Sequence, residues 1–472
     1  MKYLNDSGLH ALVDVIKGDL SNFTGTVIPT FEEVYNNLFQ LDEAIDTHTD
    51  KEVTDATGAH GIRYNNSSLE YYDNGWNPLV VDATQQSAIH YGVKINKNDS
   101  NPATRMEYMY DCVGFTPAHM DYANGEFDYG SWGNAFFIQN NYPAMVTYAG
   151  GEDYKLDPND HTKKLDGTAS DVTNVNYGGN AMSVFDCKIW LYLHQDSNYE
   201  YIEVSNKKLN DNFYDYGYDR GDGTHAEKLY YPMFGGYKDG SGRLRSIAGV
   251  NIWNTTGGTQ NEINAATANG PNWQILDYAH RIVINSLLTL IGCNDDSQAA
   301  FGQGQTSGYV NNSGQNYGHL PTGTMKDKGQ FFGYSDTTHE VKVFFIEKWW
   351  GNNWDRCLGL INANGVYKYK LIPPYNLSGD GYYVAGNVPG SEWQKDTSTS
   401  HFGRLPKTTG SGGSSSTYNC DYFWSNNSQV DIALWGGACN NGDYCGASSL
   451  NLPYVASSSL WHFGASVYLV QP

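Results

Sequence analysis

The chain has 472 residues, a formal net charge of −22, and an unusual content of 52 Gly, 37 Tyr and 12 Trp. Its 29 Lys and Arg residues are too few for clustered phosphate contacts, which disfavours nucleic acid and anionic membrane surfaces as partners. No apolar run has the length of a membrane span, and the N-terminus lacks the apolar core of a secretion signal. Many Tyr, Trp and Gly with few charges are typical of loop-rich β proteins and of binding surfaces.

The seven cysteines are an odd number, scattered along the chain, and none forms a CxxC pair. This pattern favours free thiols in a protein made in a reducing cytoplasm.

The N-terminal part, residues 1–52, is predicted to be helical. Apolar residues recur there at spacings of three and four, and the second run has the pattern of a coiled-coil seam: Phe31, Val34, Leu38, Leu41 and Ile45. A helix packed on its own domain is the alternative. Residues 53–82 alternate like strands around "NNSS" and "DNG" turns, which predicts a small β-hairpin segment.

Residues 83–472 form the third predicted domain. Short strand-like pieces such as "KIWLYLH" and "YEYIEV" are separated by loops rich in Gly, Asn and Asp. The segment "WQILDYAHRIVINSLLTLIG" predicts one amphipathic helix, with an apolar stripe of Leu276, Ala279, Val283, Leu287 and Leu290. This combination predicts an α+β domain whose loops carry the function, and a final strand in "ASVYLVQP" that closes the domain.

Few sequence motifs indicate a catalytic activity or a metal site. The chain contains no HExxH, no GxSxG and no P-loop. Acidic residues are plentiful, so an enzyme that cleaves glycans with a pair of carboxylates is an alternative. No spacing in the sequence identifies such a pair. The loop "DRGDGTHAE" at 219–227 is compatible with a structural Ca²⁺ site, and no other cofactor is expected.

Three motifs in the C-terminal half occur in a recognisable order: "FFIEKWWGNNW" at 344–354, "WGG" at 435–437 and "SSSLWHFGA" at 457–465. In these motifs, and in "KYLNDSGLHALVDVIK" near the N-terminus, the chain resembles variable proteins of diversity-generating retroelements and the related receptor-binding proteins of bacteriophage tail fibres. The resemblance covers most of 83–472.

The resemblance implies a C-type lectin fold of the formylglycine-generating type, preceded by the helical segment and the small β segment. It implies a non-enzymatic adhesin that recognises a bacterial surface receptor, either glycan or protein. It further implies a homotrimer joined through the N-terminal coiled coil, contact of the N-terminus with other tail proteins, and a place in the virion after synthesis in the host cytoplasm. The EPN, QPD and WND motifs of calcium-dependent sugar binding are absent from the sequence.

The resemblance also implies a variable region at about 425–465. Its constant frame would be Gly436, Gly437, Gly442, Gly446, Trp461 and Gly464. The variable, ligand-binding positions would be Ala438, Cys439, Asn440, Asp443, Tyr444, Ser448, Ser449, Asn451, Pro453, Tyr454, Leu460 and His462.

Six of these positions are expected to face solvent together, at the end of the molecule farthest from the N-terminus: Asp443, Tyr444, Ser449, Asn451, Tyr454 and His462. The two tyrosines would be the anchors, because Tyr supplies a large contact area at low entropic cost. The enzyme branch of the resembled fold, the formylglycine-generating oxidases, binds copper through a cysteine pair. Cys439 and Cys445 lie in the corresponding stretch, one residue farther apart than the family's pair, so an oxidase is a further alternative.

Overall fold

The chain is divided into two compact units, Met1–Ala88 and Ile89–Pro472. The structure is a computed structural model, and it describes residues 88–254, 257–311 and 317–470 together with the backbone of 62–65, 68–72 and 76–78. The predicted coiled-coil seam, Phe31 to Ile45, lies outside the described residues.

The first unit contains a three-stranded antiparallel sheet made of β1 (Ile62–Asn65), β2 (Ser68–Tyr72) and β3 (Trp76–Pro78). Asn65 pairs with Ser68, so two residues of the "NNSS" sequence connect β1 to β2. Tyr72 pairs with Trp76 across the "DNG" turn. The strand pairing predicted from the two turns is therefore present, with a third strand added to the expected hairpin.

In the second unit, twenty-five strands and four helices follow one another along the described residues. They are β4 (His90–Asn96), β5 (Met106–Tyr110), β6 (His119–Asp121), β7 (Glu126–Asp128), α1 (Phe136–Gln139), β8 (Asn141–Thr147), β9 (Glu152–Lys155), β10 (Gly179–Phe185), β11 (Trp190–Gln195), β12 (Tyr199–Ser205), β13 (Leu229–Pro232), β14 (Tyr237–Lys238), β15 (Leu244–Arg245), α2 (Thr259–Thr267), β16 (Trp273–Ile275), α3 (Tyr278–Gly292), α4 (Ser297–Phe301), β17 (Lys342–Val343), β18 (Ile346–Glu347), β19 (Trp354–Ala363), β20 (Val366–Tyr369), β21 (Tyr383–Asn387), β22 (Glu392–Ser400), β23 (Gly403–Thr409), β24 (Tyr422–Ser425), β25 (Val430–Trp435), β26 (Leu450–Leu452), β27 (Phe463–Gly464) and β28 (Val467–Leu469).

Three sheets organise the second unit. One has six strands in the order β16-β28-β13-β10-β8-β9, and a second has four in the order β11-β12-β4-β5. The largest has nine strands, ordered β21-β20-β19-β25-β26-β24-β22-β23, with β27 alongside β19. The remaining strands form the two-stranded ribbons β6-β7, β14-β15 and β17-β18.

The predicted fold class, an α+β domain with a C-type lectin fold, is wrong. Strand accounts for 34% of the structure and helix for 10%, so the protein is mainly β. The sequence pattern identified many of the short strands, but partners that are distant in sequence determine which sheets they form. No helix in the described parts of the chain combines the length and apolar character that crossing a membrane requires.

Helix α3 is the main helix of the domain, and it is buried on all sides. It begins after Asp277, whose carboxylate caps it by accepting a hydrogen bond from the His280 backbone N–H at 3.0 Å. Thirteen of its fifteen residues are buried, including Ile284 and Leu288, which lie outside the predicted stripe. The helix is therefore confirmed, but its predicted polar face is wrong because protein covers that face as well.

The last strand, β28, lies inside the six-stranded sheet. It pairs with β16 on one side and with β13 on the other. The prediction that "ASVYLVQP" contains a strand that closes the domain is confirmed. The C-terminal segment is thus joined by hydrogen bonds to strands that precede it by about two hundred residues.

The burial of α3 leads to a stability prediction. Leu287 is fully buried, so Leu287→Ala should lower the free energy of unfolding by about 2–5 kcal/mol through lost apolar contacts and the cavity left behind. Urea denaturation followed by tryptophan fluorescence measures the change. Leu165→Ala is the control, because Leu165 is 60% exposed and its replacement should change stability by about 0.5 kcal/mol or less. A loss no larger than that in Leu287→Ala would contradict the burial described here.

Candidate ligand-binding surface

Aromatic side chains line one face of the largest sheet where β22 meets β24. Trp393 on β22 lies directly opposite Tyr422 on β24. Trp424 follows two positions after Tyr422 and so points to the same face, whereas Phe423 between them is fully buried on the other face. Strand alternation therefore brings three partly buried aromatic rings together on one side of the sheet.

A fourth ring, Tyr444, packs on these three from a loop. Its ring centroid lies 4.6 Å from that of Tyr422, 5.0 Å from that of Trp393 and 5.8 Å from that of Trp424. Tyr444 is 41% exposed, and the other three rings are partly exposed. We call these four residues, Trp393, Tyr422, Trp424 and Tyr444, the Tyr444 surface.

The loop that carries Tyr444 runs from Gly436 to Ser449 and is closed at its base. Strands β25 and β26 pair antiparallel on either side of it, and the Gly436 N–H donates to the Ser449 carbonyl at 3.0 Å. Within the loop, Ser449 Oγ donates to the Tyr444 carbonyl at 2.9 Å. A short 3₁₀ helix, Gly442–Tyr444, places Asp443 and Tyr444 at the exposed end of the loop.

Two of the predicted frame glycines explain how the loop keeps this shape. Gly437 has φ 93° and Gly446 has φ 153°, conformations that side chains rarely adopt. A Cβ atom on Gly437 would collide with the Cys445 thiol, and one on Gly446 would collide with the Asp421 carboxylate. The prediction that these glycines hold the backbone of the C-terminal segment is confirmed.

A small buried cluster packs against one residue of the Tyr444 surface, Trp424. It consists of Trp354, Leu434, Ala438 and Phe463, with Trp424 and Tyr454 packed against it. The Trp354 and Trp424 rings meet edge to face with their centroids 5.3 Å apart. Because Trp354 is 2% exposed, Trp424 rests on an immobile neighbour and its orientation is set before any ligand binds.

A second aromatic group surrounds Trp461. Its ring centroid lies 4.5 Å from that of Tyr309, 5.2 Å from that of Tyr317 and 5.5 Å from that of His319. Burial lowers the pKa of His319 to about 3, with a further contribution from the Lys348 charge, and burial lowers the pKa of His462 to about 4. Both imidazoles are therefore neutral at neutral pH.

The twelve predicted variable positions are divided by their exposure into three sets. The exposed residues are Asn440, Asp443, Tyr444 and Leu460. The partly buried residues are Ser448, Pro453, Tyr454 and His462. The buried residues are Ala438, Cys439, Ser449 and Asn451.

The expectation that Ser449 and Asn451 face solvent is therefore wrong. Ser449 is fully buried, and its hydroxyl is used inside the loop. Asn451 lies on β26 between β24 and β25, opposite Trp424 and Leu434, and is 5% exposed. Its burial, and not its place in the sheet, keeps this side chain from a partner, because side chains project above and below a sheet and not toward the neighbouring strands. Of the six expected residues, Asp443 and Tyr444 are exposed, and Tyr454 and His462 are partly buried.

Three of the four residues of the Tyr444 surface are not among the site residues predicted from the sequence. Trp393, Tyr422 and Trp424 precede the predicted variable region, and the first of them lies on a different strand from the other two. The alternation in "DYFWS" at 421–425 signals that Tyr422 and Trp424 share a face. The partnership with Trp393 depends on a strand pairing that spans about thirty residues, which the pattern alone does not specify.

One acidic residue next to this surface in sequence, Asp421, points into the protein. It is 2% exposed and accepts a hydrogen bond from the Ser448 backbone N–H at 2.6 Å. Burial holds the pKa of its carboxyl well above the usual range, and the nearby Asp296 and Asp295 carboxylates act in the same direction. Asp421 lies under Gly446 and does not reach a glycan on the Tyr444 surface, so it is not one of a pair of glycan-cleaving carboxylates there.

Cys439 and Cys445 lie in the loop that carries Tyr444. Both are buried free thiols, and they are directed at different carbonyl groups, those of Tyr317 and Ala438. Burial raises the pKa of Cys439 to about 12 and that of Cys445 well above its ordinary value, which opposes the thiolate form that copper binds. The arrangement does not favour the oxidase alternative.

In the predicted calcium loop, the Asp219 and Asp222 carboxylates accept hydrogen bonds from residues of the same loop. Asp219 accepts a hydrogen bond from the Gly221 N–H, and Asp222 accepts from the N–H and hydroxyl of Thr224. Across the described residues, no three His, Cys, Asp or Glu side chains are grouped so that they could hold a metal ion.

Comparison with models of known protein families gave no match, and comparison with curated proteins gave no match either. What the Tyr444 surface can do is therefore argued from its own geometry.

The buried histidines lead to a pH prediction. Because His462 takes up a proton near pH 6.5 when unfolded but only near pH 4 when folded, stability should fall as the pH falls through this window. His462→Gln should reduce the slope by at most about 1.4 kcal/mol per pH unit. Urea denaturation at several pH values between 4 and 7 measures it. Tyr454→Phe, a neighbour that does not titrate in this range, should retain the wild-type slope, and a wild-type slope in His462→Gln would contradict the assignment.

Proposed function

We propose that the chain is a non-enzymatic receptor-binding protein that holds a glycan of a bacterial surface on the Tyr444 surface. The observation that carries this proposal is the set of four adjoining, partly exposed aromatic rings on a rigid base. An aromatic ring has a negative face, which attracts the weakly positive C–H hydrogens on the flat side of a sugar ring. Rings that are already ordered lose little entropy when a ligand binds.

The net charge of the protein and the polar residues beside the rings restrict the chemical class of the ligand. With a net charge of −22, the protein repels polyanions over its surface, which favours a neutral glycan. Asn440 and Asp443 are exposed on the same loop as Tyr444 and can form hydrogen bonds with sugar hydroxyl groups. A combination of Tyr and Trp anchors with short polar side chains is also the composition of antibody binding sites.

The biological setting follows from the sequence resemblance and is part of the proposal. The protein would be a phage tail fibre component made in the host cytoplasm, joined as a trimer through the N-terminal seam, and bound to other tail proteins by its N-terminus. Diversification by a retroelement would act on the exposed positions Asn440, Asp443, Tyr444 and Leu460. The proposal does not require the lectin fold that the resemblance implied.

The proposal predicts the effect of removing single rings. Trp393→Ala and Tyr444→Ala should each weaken binding to host cells at least tenfold, because central aromatic anchors contribute about 2 kcal/mol or more. Pull-down of fluorescent protein with intact bacteria measures binding, and near-UV circular dichroism reports whether the fold is kept. Tyr383→Ala is the matched control, because Tyr383 is 70% exposed on the edge strand β21 and lies outside the surface.

Three outcomes would decide against the proposal. Wild-type binding by both ring variants would place the receptor elsewhere. Loss of binding after protease treatment of the cells, with no effect of periodate, would identify a protein receptor. Release of short oligosaccharides from purified envelope glycan would identify a glycan-degrading enzyme instead of an adhesin.

A further inference from the structure

Arg281 is a buried cation without an anionic partner. It lies on α3 and is fully buried. Three other buried arginines, Arg105, Arg245 and Arg356, each form an ion pair with a carboxylate at 2.8–3.3 Å. Within the described part of the chain, no carboxylate forms such a pair with Arg281. A guanidinium removed from water is costly unless its charge is compensated, so this position requires an explanation.

Only one of the three guanidinium nitrogens is used by the protein. Nη2 donates to the Trp349 carbonyl at 3.1 Å and to the Ala447 carbonyl at 2.9 Å. Nε and Nη1 are buried and have no partner. The Trp349 ring centroid lies 4.1 Å from the guanidinium carbon and the Trp435 ring centroid 5.4 Å from it, so both rings can contribute cation–π attraction.

A cavity of about 30 Å³ lies beside Arg281. One face of α3 lines it through residues three or four positions apart, namely Tyr278, Arg281, Ile282, Asn285, Ser286 and Thr289. The opposite wall includes Arg404, Trp435 and Ser448. Such a volume admits a water molecule or a single small ion.

Tyr278 supplies another unused donor to this cavity. It is 1% exposed, and its hydroxyl has no hydrogen-bond partner. Burial holds the pKa of Tyr278 well above its ordinary value, so the hydroxyl keeps its proton and can donate it in a hydrogen bond. Two of the residues that line this cavity, Arg281 and Tyr278, therefore carry buried donor groups that lack acceptors among the described residues.

We propose that this cavity binds a small monatomic anion, for which chloride is the physiological candidate. A chloride ion can accept several hydrogen bonds at once and would bring a negative charge beside Arg281, whereas a water molecule brings none. Burial lowers the pKa of Arg281 to about 10, although the Asp355 and Asp421 carboxylates act in the opposite direction without forming an ion pair with it.

Bound chloride would couple α3 to the loop that carries Tyr444. Trp435 and Ser448 lie in the cavity wall and flank that loop, and Arg281 and Asn285 both donate to the Ala447 carbonyl. The ion would therefore fix the base of the loop, whatever ligand the Tyr444 surface binds. This inference does not depend on the proposed function.

Crystals of the full chain grown or soaked in sodium bromide test the site directly. We expect an anomalous bromide peak within hydrogen-bonding distance of Arg281 Nε and Nη1. Density in the cavity without anomalous signal would identify water and overturn the proposal.

Thermal unfolding tests the same site in solution. When chloride replaces gluconate at constant ionic strength, the wild-type melting temperature should rise, because a ligand that binds only the folded state stabilises it. Tyr278→Phe should reduce this rise by at least half. Tyr218→Phe is the matched control: Tyr218 is equally buried but donates to the Cys187 carbonyl at 2.6 Å, so this variant should keep the full rise. An undiminished rise in Tyr278→Phe, or no rise in the wild type, would overturn the proposal.

Discussion

The buried guanidinium of Arg281 is the interaction on which the arrangement of the C-terminal half depends. One nitrogen, Nη2, donates to carbonyl groups on two separate segments, those of Trp349 and Ala447. Asn285, one turn farther along α3, repeats the connection: its amide donates to the Ala447 carbonyl at 2.8 Å and accepts from the Trp349 indole N–H at 2.8 Å. A single helix thus holds both the segment that leads into β19 and the loop that carries Tyr444. A buried hydrogen bond to a charged group is expensive to break, so these segments are held in one arrangement.

The candidate binding surface is held in place by the same two segments. The segment held at Trp349 leads to Trp354, whose buried ring supports Trp424, and the loop held at Ala447 carries Tyr444 onto the same sheet face. The surface is therefore built from three parts of the chain: β22, β24 and the loop between β25 and β26. The glycines that shape the loop and the residues at its exposed end have different roles. Gly437 and Gly446 determine the backbone path, whereas Asn440 and Asp443 face solvent and Tyr444 packs, partly exposed, on the rings of the sheet face.

The sequence predicts local elements here better than their assembly. The helix from Tyr278 is evident from its apolar residues, the capping Asp277 confirms its start, and β28 is evident from its alternation. The burial of every face of α3 could not be predicted, because its covering strands come from distant segments. The same limit explains the error in fold class and the error at Asn451, whose neighbours Trp424 and Leu434 are brought beside it by strand pairing. Tyr444 was predicted from the C-terminal motif, but its three aromatic neighbours are brought to it by strand pairing across the sheet.

The central claim is that ligand binding occurs on the Tyr444 surface, and hydroxyl-radical footprinting of the protein on intact host cells tests it most directly. The method reports the solvent accessibility of individual Trp and Tyr side chains in the free and the bound protein. The account predicts that binding protects Trp393, Trp424 and Tyr444, while Tyr383 on β21 stays as reactive as in the free protein. Unchanged reactivity of Trp393 and Tyr444 on saturated cells, or protection centred on Tyr383, would contradict it.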